Sequence, residues 1–266
     1  MDGAVFETVT LNRADLRFPF APKFADRIQG TTLTRLSRRA KFLRADLSSG
    51  ETLYMHLGMS GRFIIDAAEN KKSALSNYAH EHAANPKHHH VVFEMRNGAT
   101  ITYNDPRRFG FMELIGEGEP YRLDRIGPEP LGNEFNGPAL REALKGKKSK
   151  IKAALLDQRV VAGLGNIYVC EALFRTGISP RRAAGRLKVG ETDGLAGHIK
   201  DVLSEAIEAG GSSLRDFSNT DGKLGYFQHR FDVYGREGEP CTACKAPIKR
   251  IVQSGRSSFF CASCQR

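Results

Sequence analysis

The sequence predicts a mixed α+β protein in three parts: a β-sandwich or barrel, a helical middle and a metal-stapled β-hairpin. Three observations carry this. Short runs rich in alternating apolar residues, separated by turn residues, fill the stretch from Val5 to Met112. Apolar residues at helical spacing replace them after Pro130. Two C-x-x-C pairs, Cys241/Cys244 and Cys261/Cys264, stand near the C-terminus with sixteen residues between them.

The first strand spans Val5–Leu11, with Val5, Val9 and Leu11 expected on one face and Glu7 in register between them. Leu33–Leu36 and Lys41–Leu47 follow, and Ser48-Ser49-Gly50 turns the chain into Thr52–Leu57. Arg96-Asn97-Gly98 is a hairpin signal between Val91–Met95 and Ala99–Tyr103. Ala67–Pro86 is polar and reads as a loop. Helices are predicted over Gly137–Lys145, Lys150–Leu156 and Ile167–Arg175. A fourth, carrying Leu195, Ile199, Val202, Leu203, Ala206 and Ile207, is ended by Gly210-Gly211. Ser212–Gly225 is a loop leading to the hairpin. No internal repeat is visible.

Each C-x-x-C pair places two thiolates on one side of a tight knuckle. Two facing knuckles complete the tetrahedral sulfur site that one structural Zn2+ takes. Two disulfides would need an oxidising compartment, and no secretory signal precedes the chain. A redox C-x-x-C usually occurs once, beside a βαβ pattern that is missing here. Cys170, in an apolar helical run, reads as a small buried hydrophobe.

With 266 residues there is room for two modest domains and the zinc module. Lys and Arg outnumber Asp and Glu 40 to 30, a net charge of +10 that favours a polyanionic partner. No apolar run approaches the ~20 residues of a membrane span. A reducing, cytoplasmic setting and a monomer are expected.

Several basic tracts suit a nucleic acid. Lys41 follows Arg38 and Arg39 at a strand start, and Met59 lies in a turn with Gly58 and Gly61. Arg107, Arg108 and Phe109 join a guanidinium to an aromatic, which fits a wedge into a base stack as well as a surface ion-pair cluster. Lys87-His88-His89-His90 has no carboxylate or Cys nearby, so phosphate or backbone hydrogen bonding is favoured over metal. Gly163-Leu164-Gly165-Asn166 precedes a helix whose N-terminus can face an anion, with Asn166 at the cap. Lys145, Lys147, Lys148, Lys150 and Lys152 lie just upstream. An ordinary tight turn and a solvated lysine face explain these last two features equally well.

Taken in order, RRAKFL, MHLGMSGRF, KHHHV, DPRRFG, GPEPL, GLGNIYVCEALF, DGKLGYF, VYGREGEPC and the cysteine hairpin resemble the formamidopyrimidine-DNA glycosylase family over essentially the whole chain. The resemblance implies an N-terminal β-sandwich (1–115), a helix–two-turn–helix domain (130–225) and a zinc-ribbon-like β-hairpin (226–266). It implies a bacterial, nucleoid-associated base-excision enzyme for oxidised purines that also cleaves abasic sites by β,δ-elimination. Its partner is double-stranded DNA carrying a damaged base or abasic site.

By resemblance, Lys41 and Arg256 assist elimination. Met59, Arg107 and Phe109 fill the gap left by an everted nucleotide. His88, Arg107, Lys148, Lys152 and Asn166 contact DNA, and Ser212–Gly225 is the flap over the damaged base. The trio Met59, Arg107 and Phe109 favours this branch over the endonuclease VIII branch and its damaged pyrimidines.

The family's nucleophile is an N-terminal proline amine followed by glutamate, whereas this sequence opens Met1-Asp2-Gly3-Ala4. A helix of about 15 residues is therefore expected to be missing, and the literal chain is expected to bind DNA with impaired chemistry. The competing expectations are a non-catalytic damaged-DNA binder and, on weaker grounds, a sequence-specific regulator.

Overall fold

The computed structural model describes residues 3–66, 85–211 and 227–266. These fall into two compact units, one running to Tyr121 and the other from Arg122 onward.

The first unit is a sandwich of two antiparallel four-stranded sheets. Its strands are β1 (Phe6–Leu11), β2 (Leu33–Arg39), β3 (Phe42–Leu47), β4 (Thr52–His56), β5 (Arg62–Asp66), β6 (His89–Met95), β7 (Thr100–Asn104) and β8 (Phe111–Ile115). One sheet has the order β1-β6-β7-β5 and the other β2-β3-β4-β8. Alternation of side chains along each strand sends one set inward. Phe6, Val9, Val91, Phe93 and Ile101 from the first sheet share a core with Leu33, Ala45, Leu53, Met55 and Leu114 from the second. A short helix α1 (Phe24–Ile28) buries Phe24 and Ile28 against the same core.

In β1 the strict alternation expected for Val5, Val9 and Leu11 fails. The register against β6 jumps between Phe6 and Thr8, a β-bulge that lets Phe6 and Val9 both face inward. Glu7 is exposed and pairs with Arg96, while Val5 lies in a bridge to Thr32. Three elements were not anticipated: α1, too short to show a helical period, β5, hidden behind a Gly-rich turn, and β8, which follows the Arg107–Gly110 loop directly.

The second unit packs α2 (Gly137–Leu144), α3 (Ile151–Leu156), α4 (Asn166–Arg175) and the long α5 (Val189–Glu208) around Phe135, Leu140, Leu155, Leu173, Leu195 and Ile199. Asn136 caps α2 through a bond from the Ala139 N–H to its side chain, with Pro138 in the first turn. The expected cap role of Asn166 shifts by one: Gly165 occupies the cap and Asn166 is the first helical residue. The β-hairpin is β9 (Ile248–Gln253) with β10 (Arg256–Cys261), paired antiparallel from Arg256↔Gln253 to Cys261↔Ile248. Ser254 and Gly255 both have positive φ, 50° and 72°, as a two-residue turn between twisted strands requires. Most of the expected loop at Ala67–Pro86, and the flap at Ser212–Gly225, lie outside the described residues. No described helix is long and apolar enough to cross a membrane.

Candidate nucleic-acid interface and metal centre

In the sandwich unit, two loops present the side chains singled out by the sequence. The 57–61 turn carries Met59 at 62% exposure, and the 105–110 loop carries Phe109 at 42%. Large apolar groups in water are unfavourable, so the fold must hold them there. The two loops touch backbone to backbone. Gly58 sits at φ 68°, and a Cβ on it would come within 2.5 Å of the Gly110 nitrogen. The Arg107 guanidinium lies 4.8 Å from the centre of the Phe109 ring, so the cation and the aromatic project together.

Asp105 anchors this arrangement. It is fully buried; Oδ1 accepts from Ser60 Oγ at 2.6 Å, and Oδ2 accepts from Tyr103 Oη at 3.1 Å and the Gly110 N–H at 2.9 Å. Ser60 Oγ in turn accepts the Arg107 N–H. Burial and the Asp105 carboxylate push the Tyr103 phenol well above its usual range, so it stays a donor. His90 is buried with Nε2 2.9 Å from the Asp105 carbonyl. Only a protonated Nε2 donates there, and burial holds the imidazole below its ordinary value and hence neutral. The backbone role expected within the His88–His90 tract is thus taken by His90. The Asp105 N–H donates to the His88 carbonyl, which places half-buried His88 beside the same loop. Lys41 is exposed at the tip of the β2–β3 hairpin, next to Ala40 at φ 52°.

In the second unit, Arg256 is exposed at the start of β10 and Lys148 is exposed between α2 and α3. Lys152 is different. It is fully buried, and its Nζ donates to the Ser257 carbonyl at 2.8 Å. Burial pushes the ammonium below the usual lysine range, Cys170 opposes this and the Arg256 charge adds to it. Asn166 Nδ2 reaches the same carbonyl at 3.1 Å and lies 3.4 Å from Tyr234 Oη.

Sequence reasoning missed four of these supports. Asp105 opens an Asp-Pro turn, a sign of loop anchoring, and Ser60 gave no signal. Tyr234 gave none either, because its place beside Asn166 spans 68 residues. Glu171 had one: a carboxylate in the apolar face of α4 must find donors. It accepts the N–H groups of Asp232, Val233 and Tyr234, which hold the entry to the zinc module. Burial nevertheless raises its pKa, and the three hydrogen bonds oppose that rise.

The four cysteines converge as their spacing implied. All four sulfurs lie within 4.8 Å of one another, with Cys241–Cys264 at 3.9 Å and Cys244–Cys261 at 3.5 Å. A tetrahedron with Zn–S of ~2.3 Å has edges of about 3.8 Å, and a disulfide would need about 2.05 Å. Hydrogen bonding to Cys244, followed by burial, pushes the Cys264 thiol up to about 12. A divalent cation reverses that preference and holds the group as thiolates. The donor set fits zinc.

Three family profiles match the sequence in order: a formamidopyrimidine-DNA glycosylase N-terminal domain over residues 1–112, its H2TH domain over 126–218, and a zinc finger found in FPG and IleRS over 238–266. The formamidopyrimidine-DNA glycosylase of Ruegeria pomeroyi is 56% identical over 271 residues, spanning 100% of this chain and 94% of that protein. The chain belongs to the formamidopyrimidine-DNA glycosylase family. That family's MutM (FPG) from Thermus thermophilus has the same fold, with a TM-score of 0.82 and 38% identity over 100% of this chain and 92% of its own. The Lactococcus lactis Fpg bound to DNA with an abasic site gives 0.83 at 32% identity, over 100% and 94%. The family assignment agrees with the sandwich, the helical domain and the four-cysteine zinc site.

Proposed function

We propose that this protein is a base-excision repair enzyme that removes oxidised purines from double-stranded DNA and cleaves the resulting abasic site. The observation that carries this reading is the projecting set of Met59, Arg107 and Phe109. An enzyme acting on a base must take it out of the stack, and unstacking costs a few kcal/mol. Side chains held out in water by a rigid double loop offset part of that cost when they enter the vacated space. Phe109 wedges between bases and Arg107 faces the orphaned base. His88, Lys148 and Asn166 contact the DNA, and Lys41 and Arg256 bind phosphate and assist the two eliminations. One zinc ion, held by Cys241, Cys244, Cys261 and Cys264, keeps the Arg256 hairpin folded and supplies no chemistry. The curated relatives are bacterial, so the bacterial cytoplasm, on nucleoid DNA, is the proposed setting.

Binding and borohydride trapping test this together. The protein is titrated onto duplexes carrying 8-oxoguanine opposite cytosine, an abasic site, or no damage. Preference for the damaged duplexes is expected, and equal affinity for all three overturns the proposal. A borohydride-trapped covalent complex shows an amine of the protein attacking the sugar; lesion preference without trapping identifies a damage binder instead.

A further inference from the structure

Lys152 sits where a solvent-facing cation is least useful. Its side chain is fully buried, and its ammonium donates to a backbone carbonyl rather than facing solvent. That carbonyl belongs to Ser257, the residue after Arg256. We propose that Lys152 is a positioning residue, which with Asn166 latches the Ser257 carbonyl and so fixes the hairpin tip that aims Arg256 at phosphate. The proposal rests on the DNA-binding reading of Arg256 given above.

The geometry of the packed elements supports a latch. β10 is one strand of a two-stranded sheet, so its outer edge has no strand partner in that sheet. Helix α4 packs along that edge. Asn166 bonds the Ser257 carbonyl, and one turn on, buried Cys170 belongs to the apolar cluster against which Phe259 packs. Four helical residues advance about 6.0 Å and two strand residues about 6.6 Å, so the two steps match. Lys152, from α3, adds a charged donor to the same Ser257 oxygen and occupies its second lone pair. On the far side of the tip, Gln253 Nε2 donates to the Pro180 carbonyl at 3.0 Å, and Gln253 Oε1 accepts from Ser258 Oγ at 2.7 Å. Arg256 therefore stands one peptide bond from a doubly held carbonyl, on a turn pinned from both strands.

A latch and a direct phosphate contact make different predictions in a double-mutant cycle. Binding to a duplex with a tetrahydrofuran abasic analogue is measured against salt for the unchanged protein, K152M, R256A and the double variant. If Lys152 acts through Arg256, K152M weakens binding by on the order of tenfold, the loss of one charge-assisted hydrogen bond. It also lowers the salt slope, yet changes neither quantity further in the R256A background. If Lys152 itself neutralised a phosphate, K152M would remove about 0.9 from the slope in both backgrounds, and the proposal falls.

A second reading needs no variant. During brief reductive methylation of the DNA-free protein, Lys152 is expected to stay unmodified while Lys148 reacts. Equal labelling of the two overturns the latch. The binding cycle is readable on any duplex and the methylation needs none, so a protein with no preference for damage would refute the repair function and leave the latch to be judged separately.

Discussion

Gly110 and Tyr103 are in such close contact that a Cβ on Gly110 would lie 1.8 Å from the Tyr103 hydroxyl oxygen and 2.6 Å from the His56 carbonyl. Neither neighbour is a loose surface group, because the hydroxyl is bonded to Asp105 and the carbonyl belongs to β4. Gly110→Ala is therefore expected to destabilise the sandwich by about 1–3 kcal/mol. It should also displace Phe109. Urea denaturation checks the first effect, and loss of preference for abasic-site DNA checks the second.

Phe109→Ala leaves the loop backbone and its Asp105 bonds in place. It is expected to weaken binding to damaged duplex by about 1–3 kcal/mol, the range for removing one aromatic stack on a base. Undamaged duplex, whose stack is closed, should be bound almost as before. Competition binding of the two duplexes measures the difference, and equal losses would remove the wedge role.

Chelation is expected to release one zinc per chain and to unfold the hairpin. The hairpin module buries little apolar surface of its own, around Val233, Ile248 and the cysteines. Structural zinc in finger peptides is worth ~10–16 kcal/mol of apparent binding energy, so its removal outweighs what packing retains. A colorimetric zinc assay with circular dichroism gives both numbers; two zincs, or none, would refute the single site.

Acid should loosen the helical unit through two ion pairs. Arg175 grips Glu205 with two bonds of 2.6 and 2.8 Å, and Arg182 grips Glu191 in the same way at 2.5 and 2.9 Å. Each guanidinium holds its carboxyl below the ordinary value of 4.5. A folded value below the unfolded one means that the stabilisation is full above about pH 4.5 and is lost as pH falls through the folded value. At pH 7 Glu205→Gln is expected to cost about 1 kcal/mol, modest because the pair is partly solvated. The gap between variant and unchanged protein should narrow below pH 4, and thermal melts across pH test it.

The sequence conveyed what is local and periodic. The C-x-x-C pairs announced a sulfur tetrahedron because two knuckles of that spacing can close only around a metal or into disulfides. The run from Leu195 to Ile207 showed a helix, later found as α5, because its buried residues recur every three or four positions. The bulge in β1 was hidden because one unpaired residue shifts the phase of the alternation. Supports such as Asp105 for Ser60, or Lys152 for Ser257, were hidden because each partner is distant in sequence and ordinary in type. Lys152 shows the limit most clearly. Its place in a lysine-rich tract suggested an exposed cation, and only burial separates it from Lys148.

The bulge that turns both Phe6 and Val9 inward has an effect beyond the core. β1 is an outer strand of its sheet, with Glu7 and Thr10 facing water. A straight outer strand offers a regular ladder of amides on which another chain can nucleate an aggregate. One extra residue breaks that ladder, and the Glu7 charge penalises whatever would pair across it. The irregularity that hid the strand's phase from a sequence reading also blunts an adhesive edge.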